Sequence, residues 1–121
     1  MAGLVQFEVP EQLQAEQLVL VEKAQKKGKV RVGVNEVTKA IERGKAKLVI
    51  IAMDVSPVEI VMHLPLLCKE KKIPFTYVKA KKELGEKAGL TVGTAAAAVE
   101  EEGDAKKELQ DIVKKLVELS K

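Results

Sequence analysis

Apolar residues recur along this chain with two different periods, and the switches between them set the expected order of elements. After Pro10 and the acids that follow it, Leu13, Leu20, Val21 and Ala24 share one face of a helical stretch. The proline suits a helix start, and Gly28 is placed to cap the C-terminal end. Val30-Arg31-Val32 alternates apolar and basic, the pattern of a short extended piece, before Gly33 interrupts it. Val34, Val37, Ala40 and Ile41 return to helical spacing on one face, and Gly44 ends that second helix.

The middle of the chain reads as a βαβ unit. Leu48-Val49-Ile50-Ile51-Ala52-Met53 is a continuous apolar run, as expected of a strand buried on both faces in a parallel sheet. Ser56-Pro57-Val58-Glu59 combines an N-cap, a proline in the first helical position and a capping-box glutamate. The helix it opens carries Val58, Val61, Leu64 and Leu67, with Pro65 expected to kink or split it. Beyond Pro74, Phe75-Thr76-Tyr77-Val78 is a second strand, and a short helix from Lys81 to Ala88 runs up to Gly89.

Residues 94–99 divide local reasoning. Four consecutive alanines, Ala95 to Ala98, favour helix, while the alternation of βα units and the preceding Gly93 suit a last core strand equally well. The closing stretch, residues 104–119, sets Leu109, Ile112, Val113, Leu116 and Leu119 at helical spacing, an amphipathic helix that packs on the sheet. With no long linker and no internal repeat, the expectation is one domain over residues 1–121, layered α/β/α.

Charge sharpens this picture by its distribution more than by its total. The net charge is only +3, yet residues 23–47 carry +7 and residues 69–87 carry +4, while residues 1–22 and 100–111 carry −4 each. Two basic segments that meet in space would suit a polyanion; a solvated lysine-rich surface has the same signature. The single cysteine, Cys68, lies in an apolar run, so a packed thiol in a reducing, intracellular setting is expected. The first residues lack the pattern of a leader, and the apolar runs are far too short to span a bilayer. A soluble, cytoplasmic protein with no membrane partner is the expectation.

No catalytic constellation is legible. His63 and Cys68 each stand without a second ligand nearby, which leaves no metal site, and neither a Gly-x-Ser-x-Gly elbow nor a phosphate loop is present. His63 reads as a helix histidine with a satisfied hydrogen bond. Asp54, after the apolar strand, sits where doubly wound folds place active sites, so a phospho-receiver or small α/β enzyme is the rival reading. A receiver also needs an acidic pair to hold Mg²⁺, and residues 30–35 supply none. Asp54 is better read as ending the strand and helping the turn into Ser56.

A second cluster is more informative. Asn35, Glu36 and Lys39 share the polar face of the helix whose other face is Val34, Val37 and Ile41. They follow Gly33, which permits close approach of another backbone, and they sit at a helix N-terminus, which attracts phosphate. Glu36 would be repelled by phosphate but can accept hydrogen bonds from base amino or imino groups, Asn35 can donate and accept at a base edge, and Lys39 can approach a guanine or a phosphate. An ordinary capped, solvated helix with a Glu36/Lys39 pair accounts for the same residues.

Gly33-Val34-Asn35-Glu36-Val37-Thr38-Lys39, followed in order by Arg43-Gly44, Ala52-Met53-Asp54-Val55-Ser56-Pro57, His63-Leu64-Pro65-Leu66-Leu67-Cys68 and Leu84-Gly85, closely resembles the kink-turn-binding ribosomal protein family, and above all its archaeal large-subunit members. The likeness runs over nearly the whole chain. It implies an α/β/α sandwich with a mixed four-stranded sheet, and hence a strand at residues 94–99. It implies that Asn35, Glu36 and Lys39 recognise tandem sheared G·A pairs of a kink-turn, with Gly33 allowing the approach. The loop Gly89-Leu90-Thr91-Val92-Gly93 would cover a flipped-out nucleotide, Leu90 and Val92 giving apolar contact with Thr91 between them. This suits a chain with only Phe7, Phe75 and Tyr77 as aromatic residues, too few for a stacking platform. Arg31, Lys81 and Lys82 would flank the site on phosphates.

By the same resemblance the partners are ribosomal RNA, box C/D and H/ACA guide RNAs and RNase P RNA. Other core proteins of those particles would join them, one on the helix after Ser56. The protein would be a monomer outside its particle, would need no cofactor or metal, and would not be an enzyme.

Overall fold

Helix α1 (Glu11–Lys27) turns Leu13, Leu20, Val21 and Ala24 inward, as their spacing predicts. Strand β1 (Lys29–Val32) and helix α2 (Val34–Glu42) follow, then β2 (Leu48–Ala52), α3 (His63–Lys71), β3 (Phe75–Val78), α4 (Lys81–Lys87), β4 (Ala96–Glu101) and α5 (Lys106–Leu119). The computed structural model describes residues 11–54, 63–101, 103 and 105–119. The expected helix start at Ser56-Pro57-Val58-Glu59, and Val61 with it, lies outside the described residues. Within α3, Leu64, Pro65 and Cys68 are buried.

The four strands form one mixed sheet in the order β1-β4-β2-β3. β2 and β3 run parallel, and β4 runs antiparallel to both β1 and β2. All five residues of β2 and the first five of β4 are buried, which requires cover on both faces. One cluster of helices is α1 with α4 and α5; the other is α2 with α3. The result is a three-layer α/β/α sandwich in a single domain.

β4 settles what propensity leaves open. Ala97 stands between Val32 of β1 and Ile50 of β2, and Ala98 between Arg31 and Val49. Small side chains in the inner strand fit between larger ones on both flanks, and α1 and α2 both pack onto it. A helix here would forfeit two hydrogen-bonded ladders, a larger loss than the few tenths of a kcal/mol per residue that alanine gains in a helix. The strand begins at Ala96 and continues to Glu101, later than the run of alanines suggests.

Gly28 has a different reason from the one its position implies. It does not adopt the left-handed conformation of a C-cap; among the described residues the glycines with positive φ are Gly33, Gly44, Gly89 and Gly103. Instead the end of α1 crosses the β4 exit so closely that a Cβ on Gly28 would lie 2.0 Å from the Glu101 carbonyl oxygen. Helix α1 is also fastened to β3 through buried polar groups. The Thr76 hydroxyl donates to Gln17 Oε1 at 2.6 Å, and Gln17 Nε2 donates to the Tyr77 carbonyl at 3.0 Å.

Two outcomes follow from this packing. Thr76→Val keeps the volume but leaves Gln17 Oε1 without its donor in a dry site, so stability falls by about 1–3 kcal/mol. Urea denaturation checks this as a lower midpoint at unchanged slope, and an unaltered midpoint refutes it. Burial pushes the Cys68 thiol from an ordinary value near 9 up to about 12. The folded thiol thus stays protonated where the unfolded one ionises, and the stability present below pH 9 is lost as pH rises from there toward 12. At pH 8 a thiol reagent should leave the native protein unmodified and label it stoichiometrically in denaturant.

Candidate nucleic-acid interface

Where β1 hands over to α2, Gly33 takes φ 88° and ψ 150° as the N-cap residue. Only glycine occupies that region of backbone space without strain. Nothing lies within 4 Å of where a Cβ would stand, so the restriction is conformational and the space in front of Gly33 is open. A ligand's backbone can therefore approach the Cα here. The Gly33 N–H is shared between the Ala96 carbonyl at 3.0 Å and the Thr94 hydroxyl oxygen at 3.1 Å.

Helix α2 divides as its sequence predicts. Val37, Ala40 and Ile41 are buried and Val34 is half-buried, while Asn35, Glu36 and Lys39 are exposed on the other face. Glu36 Oε1 and Lys39 Nζ lie 3.7 Å apart with about half of each side chain in solvent. A pair so exposed contributes only a few tenths of a kcal/mol, and both partners can exchange it for a ligand at little cost. The Thr38 hydroxyl donates to the Val34 carbonyl at 2.7 Å, and His63 Nε2 stands 3.0 Å from the same hydroxyl oxygen. With the hydroxyl hydrogen committed to Val34, the imidazole is the donor in that contact. His63 thus ties α3 to Thr38 of α2.

The loop of residues 89–93 reaches the same end of the sheet. Gly89 has φ 88°, Leu90 N–H donates to the Gly85 carbonyl at 2.9 Å, and Thr94 N–H donates to the Lys81 carbonyl at 3.0 Å. These bonds lay the loop across α4 with Leu90 half-buried, Thr91 exposed and Val92 66% exposed. A large aliphatic side chain so exposed is a ready apolar contact. Gly85 makes the seating possible, since a Cβ there would come within 2.0 Å of the Val92 carbonyl oxygen.

The flanking cations differ from one another. Lys81 and Lys82 are exposed at the start of α4. Arg31 Nε instead lies 3.4 Å from Oε1 of Glu100, a residue only 8% exposed, and Lys29 Nζ lies 3.8 Å from the same oxygen. Part of the positive charge in residues 23–47 is therefore balanced by a buried carboxylate, with both cations still partly in solvent.

Asp54 has a structural task that sequence reasoning missed. Its Oδ1 accepts the Lys81 N–H at 2.8 Å, capping α4, whose own N-cap residue, Ala80, offers no side-chain bond. Among the described residues no group of three or more His, Cys, Asp or Glu is placed to hold a metal ion, and no helix is long and apolar enough to cross a membrane.

Gly33, the α2 trio and the loop of residues 89–93 are thus brought to one end of the sheet by Thr94. The model of the Ribosomal protein L7Ae/L30e/S12e/Gadd45 family matches residues 16–109, which contain all of these groups. The chain belongs to that family. Among solved structures of similar fold is the Giardia lamblia 15.5kD RNA binding protein, 37% identical, with a TM-score of 0.86 over 93% of each chain.

Gly85 supplies the test of the loop's seating. Glycine to alanine inside a helix ordinarily stabilises by about 1 kcal/mol. Here Gly85→Ala must push the Val92 carbonyl away, so the sign reverses and the melting temperature drops. A rise in melting temperature would show that the loop does not rest on α4.

Proposed function

We propose that the protein binds RNA and holds it in the sharply bent kink-turn, with Asn35, Glu36 and Lys39 reading tandem sheared G·A pairs. The observation that carries this reading is the exposed Glu36 carboxylate beside the open Gly33 backbone at the N-terminus of α2. A site for phosphates alone gains nothing from a carboxylate; a site that accepts hydrogen bonds from base amino and imino groups does. Membership of the family supports the reading, as does the likeness to the Giardia lamblia protein, which binds RNA.

In this reading Val92 and Leu90 close over an extruded nucleotide with Thr91 at the rim. Lys39, Lys81, Lys82 and Arg31 meet phosphates. The protein favours the kinked over the extended RNA by binding one better than the other, and supplies no chemistry of its own. Its places of work are the large ribosomal subunit, the box C/D and H/ACA guide particles and RNase P. There it leaves other core proteins to dock on the RNA it has bent.

Titration of the protein against a kink-turn RNA, and against the same RNA with its G·A pairs disrupted, tests this directly. The intact motif binds more tightly, and affinity falls as salt rises. Glu36→Ala weakens binding to the intact motif by about tenfold or more, whereas Lys106→Ala, exposed on α5, changes it little. Equal affinity for both RNAs refutes the proposal.

A further inference from the structure

Two segments about sixty residues apart in sequence must stand in fixed relation for the proposed site to work, and one side chain lies at their junction. Thr94 is 6% exposed, too buried to meet a ligand. Its N–H donates to the Lys81 carbonyl at the start of α4 at 3.0 Å. Its hydroxyl donates to the Ala96 carbonyl at 3.0 Å and accepts the Gly33 N–H at 3.1 Å. Three structural elements, the N-termini of α2 and α4 and the start of β4, converge on this residue.

We propose that Thr94 is a positioning residue for RNA discrimination, fixing the α2 trio relative to the loop of residues 89–93. The inference rests on the function proposed above. The hydroxyl is not needed to satisfy a buried amide, because Gly33 N–H already has the Ala96 carbonyl at 3.0 Å. Nor is it needed to fill space, which a methyl group fills as well. What it adds is a third vertex. With Gly33, Thr94 and Ala96 mutually bonded, the open glycine cannot swing about a single hydrogen bond, and the distance from Glu36 to Val92 is held before RNA arrives.

Thr94→Val removes the hydroxyl at constant volume, and Thr94→Ser restores it. The expected result is that Thr94→Val weakens binding to the kink-turn RNA by about fivefold. Binding to the G·A-disrupted RNA stays unchanged, as does the salt dependence, since no phosphate contact is lost. Thr94→Ser recovers wild-type affinity to within about twofold. In the free protein, amide hydrogen exchange accelerates at Gly33 in Thr94→Val while β2 and β4 keep their protection. Wild-type affinity in Thr94→Val, equal loss on both RNAs, or unchanged exchange at Gly33 overturns the inference. If Glu36→Ala still loses binding in that case, the proposed function stands without it. A wild-type protein that fails to discriminate the two RNAs overturns both.

Discussion

The narrowness of β4 is the constraint on which the rest of the structure depends. It is an inner strand, paired antiparallel on both sides, and its alanines let α1 and α2 approach from the two faces while larger residues of β1 and β2 fill the flanks. Because the side chains of a strand alternate between faces, its register fixes every neighbour at once. It sets where β1 ends, hence where Gly33 turns the chain into α2, and where Thr94 meets that turn. A bulkier strand would part the helical layers and separate the groups gathered at this end of the sheet.

The patterned elements were legible because each buries a face through its own local sequence. Leu13, Leu20, Val21 and Ala24 predict α1, Val37, Ala40 and Ile41 predict α2, and the run from Leu48 predicts β2. β4 was not legible from its own residues. Alanine carries a helical preference, and the hydrogen-bond ladders that override it come from residues far away in sequence; the alternation of βα units left helix and strand equally open, and the resemblance to a family decided for the strand. Gly28 shows the same limit from another side. A glycine after a helix reads as a cap, yet what requires it is the passing Glu101 backbone, which leaves no local trace.

For the candidate site, helical spacing was enough to place Asn35, Glu36 and Lys39 on one face. Nothing local could show Asp54 capping α4 across the chain, or Glu100 holding Arg31, or Thr94 joining Gly33 to Lys81. These are polar contacts between distant segments, and each residue taken alone is commonplace. Charge counting also reads differently once Glu100 is located. The basic stretch is not uniform toward a polyanion, because Lys29 and Arg31, both still partly in solvent, share the buried Glu100 carboxylate, while Lys39 pairs with the exposed Glu36.

The seating of the loop on Gly85 has a consequence for anyone who wishes to retarget the protein. The loop of residues 89–93 looks like a removable part, short and exposed, of the kind usually grafted from one scaffold to another. Its Val92 carbonyl occupies the volume that any side chain at position 85 would need. The two therefore behave as one cassette: this loop can be moved only to a helix that has glycine at the corresponding position, and a larger residue at position 85 requires a loop that stands farther off.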